Sequence, residues 1–326
     1  MTLSRTIKAS IATASLALGV LLVVVAFPHV ANAGWENLTD QLAVVKPWRM
    51  LEIVVTWAAG LYVYTFVLTA SMPDLKRHRA LALNLGGSGI SNVMPLGGAA
   101  GIGLNYAMLR SWGYNREHVA RFTAVSQTIT AVSKILVGLA GLVAFVTVPS
   151  LRGVVPFPEE TTMAMIGLIT VLVGLVVYRV GRRVTLPAYR RLRTRVGELA
   201  RQTMALARSR WLPLTLGSIG YAALQLFLFE LCLGAVHAGL SVGLIAAGYA
   251  VDRLLVLVPI TPGGVGIVEA GVTGVLVALG GDPTLVATGV LLFRAFSYFA
   301  EIPIGGVVMF GWFAQQSFRA RAHAST

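Results

Sequence analysis

Between Leu257 and Glu269 the chain reads LVPITPGGVGIVE, placing two prolines and three glycines inside a stretch otherwise apolar enough to sit in a bilayer. Proline removes an amide donor, and glycine in a helix interior costs about 1 kcal/mol relative to alanine, so a continuous helix is not expected there. In hydrocarbon the freed backbone finds no water. A break at that depth is tolerated only where protein buries it or where it lines a polar cavity, and discontinuous helices near the midplane are a recurrent device of transporters. The residues around this break are the first candidates for a permeation or lipid-handling site.

The rest of the chain agrees with a membrane setting. With 56% hydrophobic and 12% charged residues over 326 positions, there is too little polar surface to cover a soluble domain. A span needs roughly 20 apolar residues. Hydropathy predicts helices over 7–30 and 47–72, an interrupted Gly-rich segment over 80–108, and a long helix over 118–148. The order then recurs, with helices over 161–180 and 211–237, an interrupted segment over 241–280 and a long helix over 284–313. Each interrupted segment carries a similar break, Pro95-Leu96-Gly97-Gly98 in the first half and Pro262-Gly263-Gly264 in the second.

Charge decides whether those segments cross or turn back. If both are re-entrant, Lys76, Arg77, Arg79, Arg110, Arg116, Arg121 and the basic loop over 179–210 share the cytoplasmic side with both termini, as the positive-inside rule requires. The outer side then keeps only Lys46, Arg49 and Arg152 among acidic residues. The expected fold is an all-α polytopic membrane protein, one integral membrane domain over 1–326. It has about six full transmembrane helices plus two re-entrant helical hairpins in an inverted repeat, 7–148 and 161–313.

Other features narrow the function classes. The net charge of +13 lies mostly beside spans, so topology explains it and nucleic acid is not expected as a partner. Arg5, Lys8 and Ala31-Asn32-Ala33 imitate a cleavable signal peptide, but the apolar run from Ile7 to Val30 is longer than a usual signal core and reads as an uncleaved first helix. Leu192, Val196, Leu199, Thr203 and Leu206 recur at helical spacing in the basic loop. They predict an interfacial amphipathic helix, either a topological anchor or a recruiter of anionic head groups. Cys232 is the one cysteine, the five histidines lack metal-ligand spacing, and neither a P-loop nor a nucleophilic triad is present. No catalytic residue, metal or cofactor is expected.

Charges inside spans cost about 2.5 to 3.5 kcal/mol each on insertion scales, so they mark function or a structural pair. Asp252, Arg253, Glu230, Glu269, Arg294 and Glu301 crowd the second half, and Lys134 stands nearly alone in the first. Pairing of Asp252 with Arg294, or Glu269 with Arg253, offsets the cost. Alternatively, a half-helix starting near Gly264 and Gly266 presents free amides to a phosphate. Arg253 and Arg294 would then add charge-assisted bonds, while Asp252 or Glu269 holds a cation or proton. Glu269 is also placed to cap its own helix. In the first half, Asn84, Asn92 and Asn105 flank the Pro95 break and either satisfy freed backbone or face a cavity.

At these residues the chain resembles the transmembrane flippase-like domain of lysylphosphatidylglycerol synthases, also found in stand-alone bacterial and archaeal membrane proteins. The resemblance is carried by NVMPLGG from Asn92 with LRSWG from Leu109, by DRLLVLVPITPGGVGIVE from Asp252, and by LLFRAFSYFAEIPIGG from Leu291. It implies a translocator in the cytoplasmic membrane, moving a phospholipid or polyprenyl-linked lipid between leaflets. Substrate handling is then expected at Asp252, Arg253, Pro262, Gly263, Gly264, Gly266, Glu269 and Arg294, with Asn92, Pro95, Gly97 and Gly98 from the first break. The implied partners are membrane lipids, with a second copy or a membrane enzyme as a further expectation. The chain ends about ten residues after its last expected span, so synthase activity is not carried over. TAVSQTITAVSK, from Thr123 to Lys134, lacks acidic and arginine residues expected of many members, which points to a different lipid. The rival expectation is a non-transporting membrane subunit that positions a glycosyltransferase or lipid synthase.

Overall fold

The computed structural model describes residues 34–94, 97–147, 201–257 and 261–324, with Val24 and Gly197 as isolated points. The helices expected over 7–30 and 161–180, most of the basic loop, and Pro95 lie outside the described residues. Of that loop, residues 201–209 are helical, and Leu206 and Ala207 pack against Val67, Val125 and Leu214.

Ten α-helices are described: α1 (Trp35–Ala43), α2 (Pro47–Ser71), α3 (Arg77–Val93), α4 (Gly97–Ser111), α5 (Arg116–Thr147), α6 (Trp211–Ala235), α7 (Val242–Leu255), α8 (Ile267–Ala278), α9 (Pro283–Arg294) and α10 (Glu301–Ala324). No strand occurs among the described residues. Among the described residues, four helical stretches are long and apolar enough to cross a bilayer: Pro47–Ser71, Arg116–Gly141, Trp211–Ala235 and Pro283–Phe318. The chain is a polytopic all-α membrane protein. Its helix starts follow local chemistry. Pro47 and Pro283 occupy first-turn positions where no amide is needed, and the Asp282 carboxylate accepts from the Leu285 amide at 2.9 Å. Short α1 was not anticipated; its one buried residue, Leu38, packs with Ala287 and Leu291 of α9.

Both interrupted segments are antiparallel helix pairs. In the first, Gly86 of α3 faces Leu104 and Met108 of α4, and Gly101 faces Gly87. In the second, Gly248 of α7 faces Leu276 of α8, and Gly271 faces Leu255. With 17, 15, 14 and 12 residues, these arms reach only about 25, 22, 21 and 18 Å. Hydrocarbon is about 30 Å thick.

The packing between halves is reciprocal. α2 runs antiparallel along α6, with Gly60 against Leu224 and Gly217 against Val67. The first arm of the first hairpin, α3, lies along α10 of the second half, and the first arm of the second hairpin, α7, lies along α5 of the first half. At the α3–α10 crossing the backbones touch: a Cβ on Gly89 would come within 2.9 Å of the Glu301 carbonyl and of the Gly305 Cα. Lipid tails are as apolar as leucine, so such close approach through small residues is what holds membrane helices together.

The helix expected over 284–313 runs as one stretch but is not regular throughout. Between α9 and α10, Ala295–Phe299 form a π turn, closed by the Ala300 amide donating to the Ala295 carbonyl at 2.8 Å. Pro303 supplies the physical reason: it has no amide for the Phe299 carbonyl, and its ring crowds that oxygen. Beyond the turn, α10 continues to Ala324 rather than ending near 313.

Candidate functional site

The second break is a tight structure with its own fasteners. Pro262–Gly264 form a 3₁₀ turn, with Gly263 at φ +59° in the left-handed region. The Thr261 hydroxyl donates to the Val265 carbonyl at 2.8 Å. Helix α8 begins at Ile267, and Glu269 lies in its first turn, where a carboxylate suits the positive helix end. One Glu269 oxygen accepts from the Gly266 amide at 2.6 Å; the other accepts from Arg294 Nε at 2.8 Å. Arg294, the last residue of α9, also donates through its guanidinium to the Gly263 carbonyl at 2.9 Å, and lies 4.7 Å from the Tyr298 ring centroid.

Tyr298 connects this break to the first hairpin. Its hydroxyl donates to the Asn92 backbone carbonyl near the end of α3, and the Asn92 side-chain Nδ2 donates to the Tyr298 carbonyl at 3.0 Å. The π turn aims the ring at the break, where a Cβ on Gly263 would run into it. A continuous contact therefore runs Glu269, Arg294, Gly263, Tyr298, Asn92.

The buried charges pair otherwise than expected. Asp252 bonds its sequence neighbour Arg253, with Arg253 Nε donating at 2.7 Å and its guanidinium 4.7 Å from the Tyr249 ring centroid. Glu269 pairs with Arg294. The expected partners, Asp252 with Arg294 and Glu269 with Arg253, are corrected because α8 lies between α7 and α9 and packs on both. All four side chains are 10% exposed or less. Charges buried so deeply are held only when paired and hydrogen-bonded. Gly264 and Gly266 belong to the same turn, and the Gly266 amide is committed to Glu269.

Beside the Asn92 contact lies a cavity of about 240 Å³, walled by α3, α4 and α5. Asn84, Ser88, Asn92, Asn105, Gln127 and Lys134 give it a polar lining. Gly98 is also in its wall, while Gly97 packs against the Ser91 backbone where the hairpin closes. Lys134 forms no ion pair among the described residues. Past Lys134, a small cavity of about 30 Å³ between Tyr64, Tyr221, Tyr249 and Arg253, here called the neck, separates the polar cavity from an apolar groove of about 570 Å³. That groove runs between α5, α6 and α7, and shares Ser133, Val137, Ser218, Ala222 and Tyr249 with the neck. Glu301 is buried against Ser88 and Asn92, behind the cavity wall. Glu230 is half-buried on α6, apart from these groups, with no ion pair among the described residues.

Sequence reasoning missed Tyr298, Ser88 and Gln127. Pro303 signals the turn that presents Tyr298. The polar stripe Thr123, Gln127, Thr130 and Lys134, four positions at helical spacing on an otherwise apolar helix, signals the cavity.

Fold and site together define a polytopic helical membrane protein organised around two interrupted helix pairs whose ends meet beside a polar cavity. The chain belongs to the family described as the lysylphosphatidylglycerol synthase TM region, whose model matches residues 12–305. Searches of curated proteins and of solved structures gave no match.

Proposed function

We propose that this chain translocates a lipid between the leaflets of a bacterial or archaeal cytoplasmic membrane, the head group passing through the cavity beside the two breaks. The observation that carries this reading is a polar cavity and an apolar groove lying on either side of the small Lys134 cavity and sharing wall residues with it, beside the Asn92–Tyr298 contact. An amphiphile needs both environments at once. The family, a membrane region of a lipid-modifying enzyme, supports a lipid substrate.

In this reading both helix pairs are re-entrant. Their arms are too short to span, and their antiparallel course returns the chain to the side it left. The reciprocal packing of α3 on α10 and α7 on α5, with antiparallel α2 and α6 between equivalent positions, supports an inverted repeat. The basic residues Lys76, Arg77, Arg79, Arg110, Arg116 and Arg121 at the base of the first hairpin support a cytoplasmic position for it, with both termini on that side. Asp252, Arg253, Glu269 and Arg294 act as positioning residues that hold the break, and the cavity wall meets the lipid. No reaction is assigned to the chain.

Reconstitution into liposomes with a fluorescent phospholipid, followed by chemical quenching of the outer leaflet, tests this. Wild-type vesicles should exchange label faster than empty ones, and Gln127→Trp, at an exposed position in the cavity wall, should return exchange to the empty rate. Wild-type vesicles no faster than empty ones would refute translocation, and a stoichiometric membrane enzyme co-purifying with such an inactive chain would favour the scaffold role.

A further inference from the structure

The charge arrangement around the cavity selects among lipids. Lys134 feels four charged groups, Arg253, Asp252, Glu301 and Arg294. Arg253 and Asp252 neutralise each other, and Arg294 is neutralised by Glu269. Glu301 is 7% exposed and lies behind Ser88 and Asn92. The Lys134 ammonium is consequently the one charged group among the described residues lining the cavity. It lines both the polar cavity and the small cavity next to it, and no carboxylate lines either.

The remaining lining is neutral and hydrogen-bonding. Asn84, Ser88, Asn92 and Gln127 offer both donors and acceptors, and the side-chain oxygen of Asn105 is buried with no hydrogen-bond partner. An orphaned acceptor of this kind is stabilised by a hydroxyl donor. Beyond the neck, the groove is lined by Ile129, Leu136, Ile219 and Leu226 among other apolar residues. Its lining is mostly apolar, with the hydroxyls of Ser133, Thr215, Ser218 and Tyr249 as its polar members and no charged side chain.

Resting on the transport reading above, we infer that the site takes a lipid with a monoanionic phosphodiester and a neutral, hydroxyl-bearing head group. The phosphate sits at Lys134, the hydroxyls reach Asn105 and its neighbours, and the chains lie in the α5–α6–α7 groove beyond the neck, which parts to seat them. Attraction between phosphate and ammonium is charge-assisted in this polar cavity, whereas an aminoacylated head group would bring a second cation toward Lys134 with no acidic side chain in the wall to receive it.

The test uses the purified full chain in detergent with an equimolar mixture of phosphatidylglycerol, phosphatidylcholine and aminoacylated phosphatidylglycerol, with bound lipid read by native mass spectrometry. Phosphatidylglycerol should be retained about tenfold over the other two, the preference should vanish in Lys134→Gln, and Lys134→Arg should keep it. Equal retention by Lys134→Gln and wild type, or a wild-type preference for the zwitterionic or cationic lipid, overturns the proposal. Should Lys134→Gln fail to fold, Gln127→Glu places an anion on the same face of α5 at an exposed position; unchanged phosphatidylglycerol retention there also overturns it. Soluble glycerophosphate separates head group from lipid. It should displace phosphatidylglycerol only at far higher concentration, and displacement at equal concentration overturns the groove as the seat of the chains. Ala222→Trp, in the groove, should lower lipid retention; unchanged retention, as expected if residues of this chain cover the groove instead, overturns that part as well. Retention without leaflet exchange counts against transport alone. Exchange that proceeds equally in wild type and Lys134→Gln counts against this site alone.

Discussion

Replacing Arg294 by methionine tests whether the second break is held by charge. The structure sets the size of the effect. Arg294 and Glu269 are 4% and 1% exposed, so water cannot replace what is lost. The substitution removes charge-assisted bonds to Glu269 at 2.8 Å and to the Gly263 carbonyl at 2.9 Å, together with the cation above Tyr298. It leaves a buried carboxylate with the Gly266 amide as its one remaining donor. Deleting one partner of a buried pair costs about 3–5 kcal/mol, which is the loss expected for Arg294→Met. Glu269→Gln keeps an oxygen for Gly266 but strips Arg294 of its counter-charge, at about 2–4 kcal/mol. The double variant carries neither charge, retains the cap and fills the space with a methionine of similar length, so it should lie within about 1–2 kcal/mol of wild type. The assay is equilibrium unfolding in mixed micelles, read as a double-mutant cycle with a coupling of about 3 kcal/mol or more. A double variant that loses the sum of the two singles would refute the reasoning.

Other substitutions follow from the same geometry. Gly263→Ala forces a side chain into left-handed backbone and into the Tyr298 ring, so it should destabilise by well over the roughly 1–2 kcal/mol of the backbone alone; combined with Tyr298→Ala, only that backbone share of its cost should remain in the same unfolding measurement. Gly305→Ala brings a methyl within 2.8 Å of the Gly89 Cα and should cost about 1–3 kcal/mol, while Gly306→Ala, with nothing within 4 Å, should be near neutral. Equal effects at 305 and 306 would show that the α3–α10 crossing is looser than described. Tyr298→Phe removes the hydroxyl that donates to the Asn92 carbonyl and should lower the unfolding midpoint by an amount matching about 1–2 kcal/mol; an unchanged midpoint would show that this bond does not fasten the hairpins.

Much of the fold was legible because membrane rules are local. Apolar run length placed α2, α5 and α6 within a few residues of their observed ends, and Pro-Gly-Gly announced the second break. What escaped is spatial. Asp252 and Arg253 were expected to pair with Arg294 and Glu269, yet they neutralise each other along one helix, and nothing in residue order tells that α8 separates α7 from α9. The π turn was missed because Phe293 to Phe299, Arg294 and Ser297 notwithstanding, lies in a stretch apolar enough to read as one helix, and hydropathy cannot register a lost hydrogen bond. Lys134 was visible as an isolated charge, but its cavity is built from α3 and α4 as well as from its own helix, and only packing brings them together.

The exchange of arms between halves has a cost during synthesis. Helix α3 finds its companion α10 more than 200 positions later in the chain, at the Gly89–Gly305 crossing. Until the ribosome has delivered that final helix, the earlier hairpin has no neighbour at its glycine face and must wait, half-housed, among lipids or insertion factors. A nascent chain stopped before residue 283 should therefore leave its first-half hairpin open to protease, and release of the complete chain should close it.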